Sequence, residues 1–199
     1  MTEIDRLKYD TLTRQLERMR AMQYAYHRKF FGLLLVSSLV AGLCLAFPSR
    51  WTLLLVCFGV VTTGVTAAFF LHFCDFARIH ARALEGRLNQ LLGERLLIAS
   101  QLEAEYFYPH EEPRFAPELA WPRRFFAFYT GHFCALWAAL VGYAGWQLWR
   151  ESFFPEFWIL AFAWIVWTTV NLVFVVTWFQ GAAERKMAQQ LRDNFPGTH

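Results

Sequence analysis

Four stretches without an Asp, Glu, Lys or Arg set the pattern of this chain: Phe30 to Phe47, Trp51 to Cys74, Phe125 to Trp149 and Phe157 to Phe179. Polar and charged segments fill the intervals. An α-helix rises about 1.5 Å per residue and a bilayer's hydrocarbon core is about 30 Å thick, so about 20 apolar residues cross it. All four stretches meet or approach that length, the first being the shortest. The pattern predicts an all-α, polytopic membrane protein with four transmembrane helices. The first two stretches are separated only by Pro48-Ser49-Arg50, and the last two by a short link from Arg150 to Glu156. Links this short pair the helices as two antiparallel hairpins, over 29–74 and 124–179. Ser152, Pro155 and Glu156 supply start signals for the fourth helix.

Outside these runs the apolar residues return at helical spacing. In 1–28, Leu12, Leu16, Met19, Met22 and Tyr26 form the stripe of an amphipathic helix. From Asp75 no proline occurs before Pro109, so a helix continuing the second span is predicted over 75–107. Along it Ala81, Leu84, Leu88, Leu91, Arg95, Ile98 and Leu102 follow alternating steps of three and four, a heptad seam broken once by Arg95. That seam needs a cover: the helix of 1–28, the same helix of a second copy, or another protein. Pro109, Pro113, Pro117 and Pro122 make 108–123 an extended connector. The tail, 180–199, reads as a short polar helix from Gly181 to about Asn194, stopped by Pro196-Gly197.

Composition supports the membrane reading. Aromatics make up 19%, with 21 Phe and 9 Trp, more than the surface of a small soluble domain would carry. Trp51, Trp121, Trp146, Trp149, Trp158 and Trp178 fall near the ends of runs, where amphipathic rings favour the headgroup level. Of the 19 Lys and Arg, all but Arg50 and Arg150 lie before the first run, between Arg78 and Arg124, or after Phe179. By the positive-inside rule both termini and the 75–107 helix are cytoplasmic, and the protein belongs in the cell (inner) membrane. Charges of both signs precede the first run and no small-residue cleavage site follows it, so a cleaved signal peptide is not expected. The formal net charge of +3 is too mild to imply nucleic acid. Cys44, Cys57, Cys74 and Cys134 lie in apolar segments and do not form a disulfide framework. Lys29-Phe30-Phe31 and Arg124-Phe125-Phe126 open the two hairpins alike, and Thr62-Thr63 and Thr168-Thr169 precede Phe73 and Phe179 alike, consistent with a parallel duplication.

Within lipid, helices associate through small residues and polar contacts. Gly59, Thr63 and Ala67 make a small-residue face on the second span, and Gly131, Ala135 and Ala139 one on the third. Asn171, near mid-span, carries a carboxamide that is expected to find a partner on another helix or to line a pore with Thr62, Thr63, Thr168 and Thr169. No Asp, Glu, Lys or Arg lies deep in a span, which argues against ion-coupled transport. His-Phe-Cys occurs twice, offering His72, Cys74, His132 and Cys134 as metal or haem ligands. A His-x-Cys step turns about 200° on a helix, so one element does not readily aim both side chains at one metal. No cofactor is expected. His110-Glu111-Glu112 in the connector reads as a solvated acidic stretch. Phosphate loops, His-Glu metal motifs and nucleophile elbows are all missing, and the chain does not read as an enzyme.

The first hairpin is entered through the basic segment Tyr24 to Lys29 and left through a charged helix. Over about residues 20 to 105 it resembles, in topology and pattern, the two-span effector modules of bacterial nucleotide-signalling and antiphage operons. The second hairpin departs from that pattern. The resemblance implies assembly within the membrane. The expected function is therefore a homo-oligomeric pore or channel-like effector, with a place in bacterial signalling or antiviral defence. Two alternatives stand beside it: a membrane-anchored sensor or adaptor that recruits a cytoplasmic protein partner, and a haem- or metal-carrying redox subunit.

Overall fold

Between Glu3 and Ala46, and again between Arg50 and Leu92, no proline interrupts the backbone ladder, and each segment forms one unbroken helix. The computed structural model describes residues 3–99, 102, 125–151, 156–180, 189–190 and 193, with the side chains of 125–131, 151 and 178–180 left undescribed. Among these residues there are four helices and no strand: α1 (Glu3–Ala46), α2 (Arg50–Leu92), α3 (Phe125–Glu151) and α4 (Phe157–Gln180). Three of them, α1, α2 and α4, are long and apolar enough to cross a membrane. The limits expected at 28/29 and 74/75 are changes of composition and not of backbone, since α1 and α2 pass through them without a break.

The link between α1 and α2 is held by reciprocal capping. Ser49 N–H donates to Thr52 Oγ1 at 2.8 Å, and Thr52 N–H donates to Ser49 Oγ at 3.2 Å. This is the arrangement that satisfies amides left over at a helix start.

One expectation fails at the far end of α2. The helix stops at Leu92 and does not run to Phe107. Gly93 takes a φ of 71°, a left-handed conformation open to glycine and the usual way a helix terminates. Asn89 then holds the departing chain: its Oδ1 accepts from Leu96 N at 3.0 Å and Leu97 N at 2.8 Å, and its Nδ2 donates to Leu97 O at 2.8 Å. Among the described residues beyond it, Leu102 N donates to Ile98 O at 3.0 Å, the spacing of a helical bond. The connector 108–123 lies outside the described residues, as does the tail helix apart from Gln189, Gln190 and Asp193.

The chain divides into two compact units. The first comprises Met1–Arg28, Phe70–Pro117 and Phe179–His199. Its core is Leu16 of α1 against Ala81, Leu84 and Leu88 of α2, flanked by Tyr9, Leu12, Met19 and Leu97. Tyr26 stacks on Phe73 with ring centroids 4.7 Å apart. The stripe on 1–28 thus covers the start of the heptad seam within one chain. The second unit comprises Lys29–Phe69 and Glu118–Trp178. Ala41 and Cys44 of α1, Leu53, Val56 and Cys57 of α2, and Ala144 and Leu148 of α3 form its core, with Phe157 and Trp164 of α4 packed against it.

Candidate functional site

The first unit buries polar groups in its helix contact. Gln23, Asp75 and Glu85 are buried, and a buried charge persists only where it is paired. Arg20 of α1 pairs with Glu85 of α2, and Arg78 pairs with Asp75 one turn away at 2.9 Å. Sequence reading missed this group. Its signal was present, because Leu16, Gln23 and Phe30 are seven residues apart and so share one face of α1. Leu84 and Leu88 of the seam are used within the chain, whereas Leu91, Ile98 and Leu102 are exposed. The cause is the stop at Gly93, which carries the last two seam positions off the axis of α2.

In the second unit the small-residue positions separate into covered and uncovered ones. Ala67 is buried. A Cβ on Gly64 would meet the Trp137 ring at 3.7 Å, so α2 and α3 touch here. On α3, Ala135, Ala139 and Gly142 are all exposed, and a Cβ on Gly142 would meet nothing within 4 Å. The surroundings of Gly131 lie outside what the structure describes. Gly59 faces an apolar cleft of about 190 Å³, lined by Leu33, Val36 and Val40 of α1, Leu55 of α2 and Trp137 of α3. Thr63 is on its wall.

Several polar side chains of the apolar helices bond within their own helix. Thr62 donates to Phe58 O at 3.0 Å, Thr66 to Thr62 O at 2.9 Å and Thr177 to Val173 O at 2.7 Å. Thr169 is exposed, and Thr168 Oγ1 is buried without a partner among the described residues. Asn171 Nδ2 donates to Trp167 O on its own helix at 2.8 Å. A carboxamide reaches the carbonyl one turn back, so no second helix is needed to take its donor. A polar contact between helices is made by Trp164, whose indole N–H donates to Cys57 O of α2 at 3.0 Å.

The two His-Phe-Cys steps fall in different units, His72 and Cys74 in the first, His132 and Cys134 in the second. Among the described residues no three His, Cys, Asp or Glu side chains gather as a ligand set. Cys44, Cys57 and Cys74 are buried free thiols and Cys134 is an exposed one. Outside the runs, Arg50 and Glu156 approach to 3.4 Å, a half-exposed pair joining the start of α2 to the start of α4. No protein-family model matches this chain, and neither does any curated protein or solved structure.

Proposed function

We propose that the chain is a four-span protein of the cell inner membrane, with two transmembrane hairpins and cytoplasmic termini, that assembles with copies of itself into a pore or channel-like effector. Its setting is a bacterial signalling or antiviral defence system. α4 supports the membrane placement: none of its most apolar window is buried, and large side chains such as Trp158, Phe162, Ile165 and Val170 are exposed around it. A helix apolar on all sides requires an apolar surrounding, and lipid supplies it. α3 joins as the fourth span on its uncharged run from Phe125 to Trp149.

The observation that carries assembly is the uncovered face of Ala135, Ala139 and Gly142 on α3. In lipid, small residues let helix backbones approach closely, and such a face gains most from a second helix. Because Thr62, Thr66 and Thr177 return their hydroxyls to their own helices, a conducting path belongs between copies. The test is the mass of the detergent-purified protein together with ion flux through liposomes. An oligomer that Ala139→Leu reduces to monomer, with loss of flux, is expected. A wild-type monomer ends the reading.

The exposed Leu91, Leu92, Leu96, Ile98 and Leu102, beyond the apolar runs, favour a second reading, a membrane-anchored adaptor for a cytoplasmic protein. An absence of flux, with such a protein co-purifying and released by Leu96→Ser, would select it.

A further inference from the structure

The cleft of the second unit is apolar but for two hydroxyls, those of Ser37 and Thr63. Its one serine, Ser37, donates its hydroxyl to Leu34 O at 3.1 Å, whereas a resident water needs two to four polar partners. The cleft is also long. On α1 it extends from Leu33 to Cys44, about 16 Å of helix, and on α2 from Leu55 to Thr63, about 12 Å. A Cβ on Gly59 would meet nothing within 4 Å, so the missing side chain opens the groove at its middle. At one end stands a cation. Lys29 is exposed and lies one helical turn before Leu33, at the i, i+4 spacing that puts both on one face of α1, with Val36 a further turn on.

An apolar groove with an ammonium one turn beyond its end matches a phospholipid, hydrocarbon along the groove and phosphate at the cation. We propose that this cleft binds one acyl chain of an anionic phospholipid, with the lipid phosphate at Lys29. The inference rests on the membrane-spanning reading above, and it makes α1, α2 and α3 a lipid-binding surface in addition to an assembly element.

The experiment uses the full-length protein, reconstituted with phosphatidylglycerol or phosphatidylcholine, extracted in mild detergent and weighed by native mass spectrometry. One phosphatidylglycerol retained per chain is expected, at about fivefold preference over phosphatidylcholine, the value of one lysine at a membrane surface. Gly59→Leu fills the groove and should lower retention about tenfold or more, since several buried methylenes are displaced. Lys29→Gln should abolish the preference, lowering phosphatidylglycerol retention more than that of phosphatidylcholine, whose phosphate is already offset by its own choline. Wild-type retention in Gly59→Leu overturns the proposal, and so does an unaltered preference in Lys29→Gln. A changed oligomeric mass in Gly59→Leu with lipid still bound would instead make the cleft a contact with a second copy. If Gly59→Leu does not fold, Lys29→Gln decides alone. Alkaline carbonate extraction separates the two levels: release of the wild-type protein from membranes defeats the spanning reading, whereas a retained protein that binds no lipid defeats only the cleft.

Discussion

Asn89 holds Leu97 by both of its backbone groups, accepting from its N–H and donating to its carbonyl, each at 2.8 Å. A single carboxamide thereby replaces the helical ladder that ends four residues earlier at Gly93. It also returns Leu97 to the side of Leu16 and Leu88, where it covers the core of the first unit.

Asn89→Ala removes three hydrogen bonds, each worth about 1 kcal/mol net and less where water replaces it, so a loss of about 2 kcal/mol in local stability is expected. Amide exchange at Leu96 and Leu97 should accelerate about thirtyfold, while amides in the second unit keep their rates. Hydrogen exchange read by mass spectrometry checks both halves of the expectation.

Arg20 and Glu85 join α1 to α2 in the first unit, with the carboxylate side chain 5% exposed and the guanidinium 24%. Arg20→Met takes one partner from the buried Glu85, which costs at most about 3 kcal/mol, reduced by the water that reaches the arginine side. Arg20→Met with Glu85→Leu should recover most of the loss, because an apolar pair of similar volume needs no compensation. Thermal unfolding of Arg20→Met, Glu85→Leu and the double variant in one detergent closes this cycle, and a double variant as weak as Arg20→Met would refute the pairing.

How much of this was legible in the chain depends on the range of the force concerned. The apolar runs could be read because charge and length act over a whole segment. Leu16 and Leu84 could be read because heptad spacing fixes a face. The end of α2 could not, since Leu96, Leu97 and Ile98 prolong the apolar recurrence past Gly93, and a glycine's φ depends on what holds the chain beyond it, here Asn89. The bond from Asn171 Nδ2 to Trp167 O was not foreseen for a related reason: the carbonyl one turn back is a local acceptor that can take one of the amide's donors. The Arg20–Glu85 pair needed knowledge of which turn of α1 faces which turn of α2.

Trp164 gives the second unit its polar cross-link, the indole N–H reaching Cys57 O at 3.0 Å. Trp164→Phe keeps most of the ring and forfeits the bond, a loss of about 1 kcal/mol. Trp158→Phe, at a position 65% exposed, should be silent within about 0.5 kcal/mol. Thermal unfolding of both separates a structural indole from one that meets the surroundings of the protein.

Asn171 allows stability and conduction to be told apart. Its Nδ2 already bonds Trp167 O within α4, so Asn171→Leu removes a hydrogen bond local to that helix and should move the unfolding midpoint by less than the equivalent of about 0.5 kcal/mol. If copies of the chain surround a path that passes α4, the same substitution replaces a polar lining group by an isobutyl group, and ion flux through liposomes should fall with the oligomer intact. Unchanged flux would place the path away from α4, against the face of Ala135, Ala139 and Gly142 on α3. A lower oligomeric mass would show that the carboxamide, satisfied within one chain, changes partner when a second chain arrives.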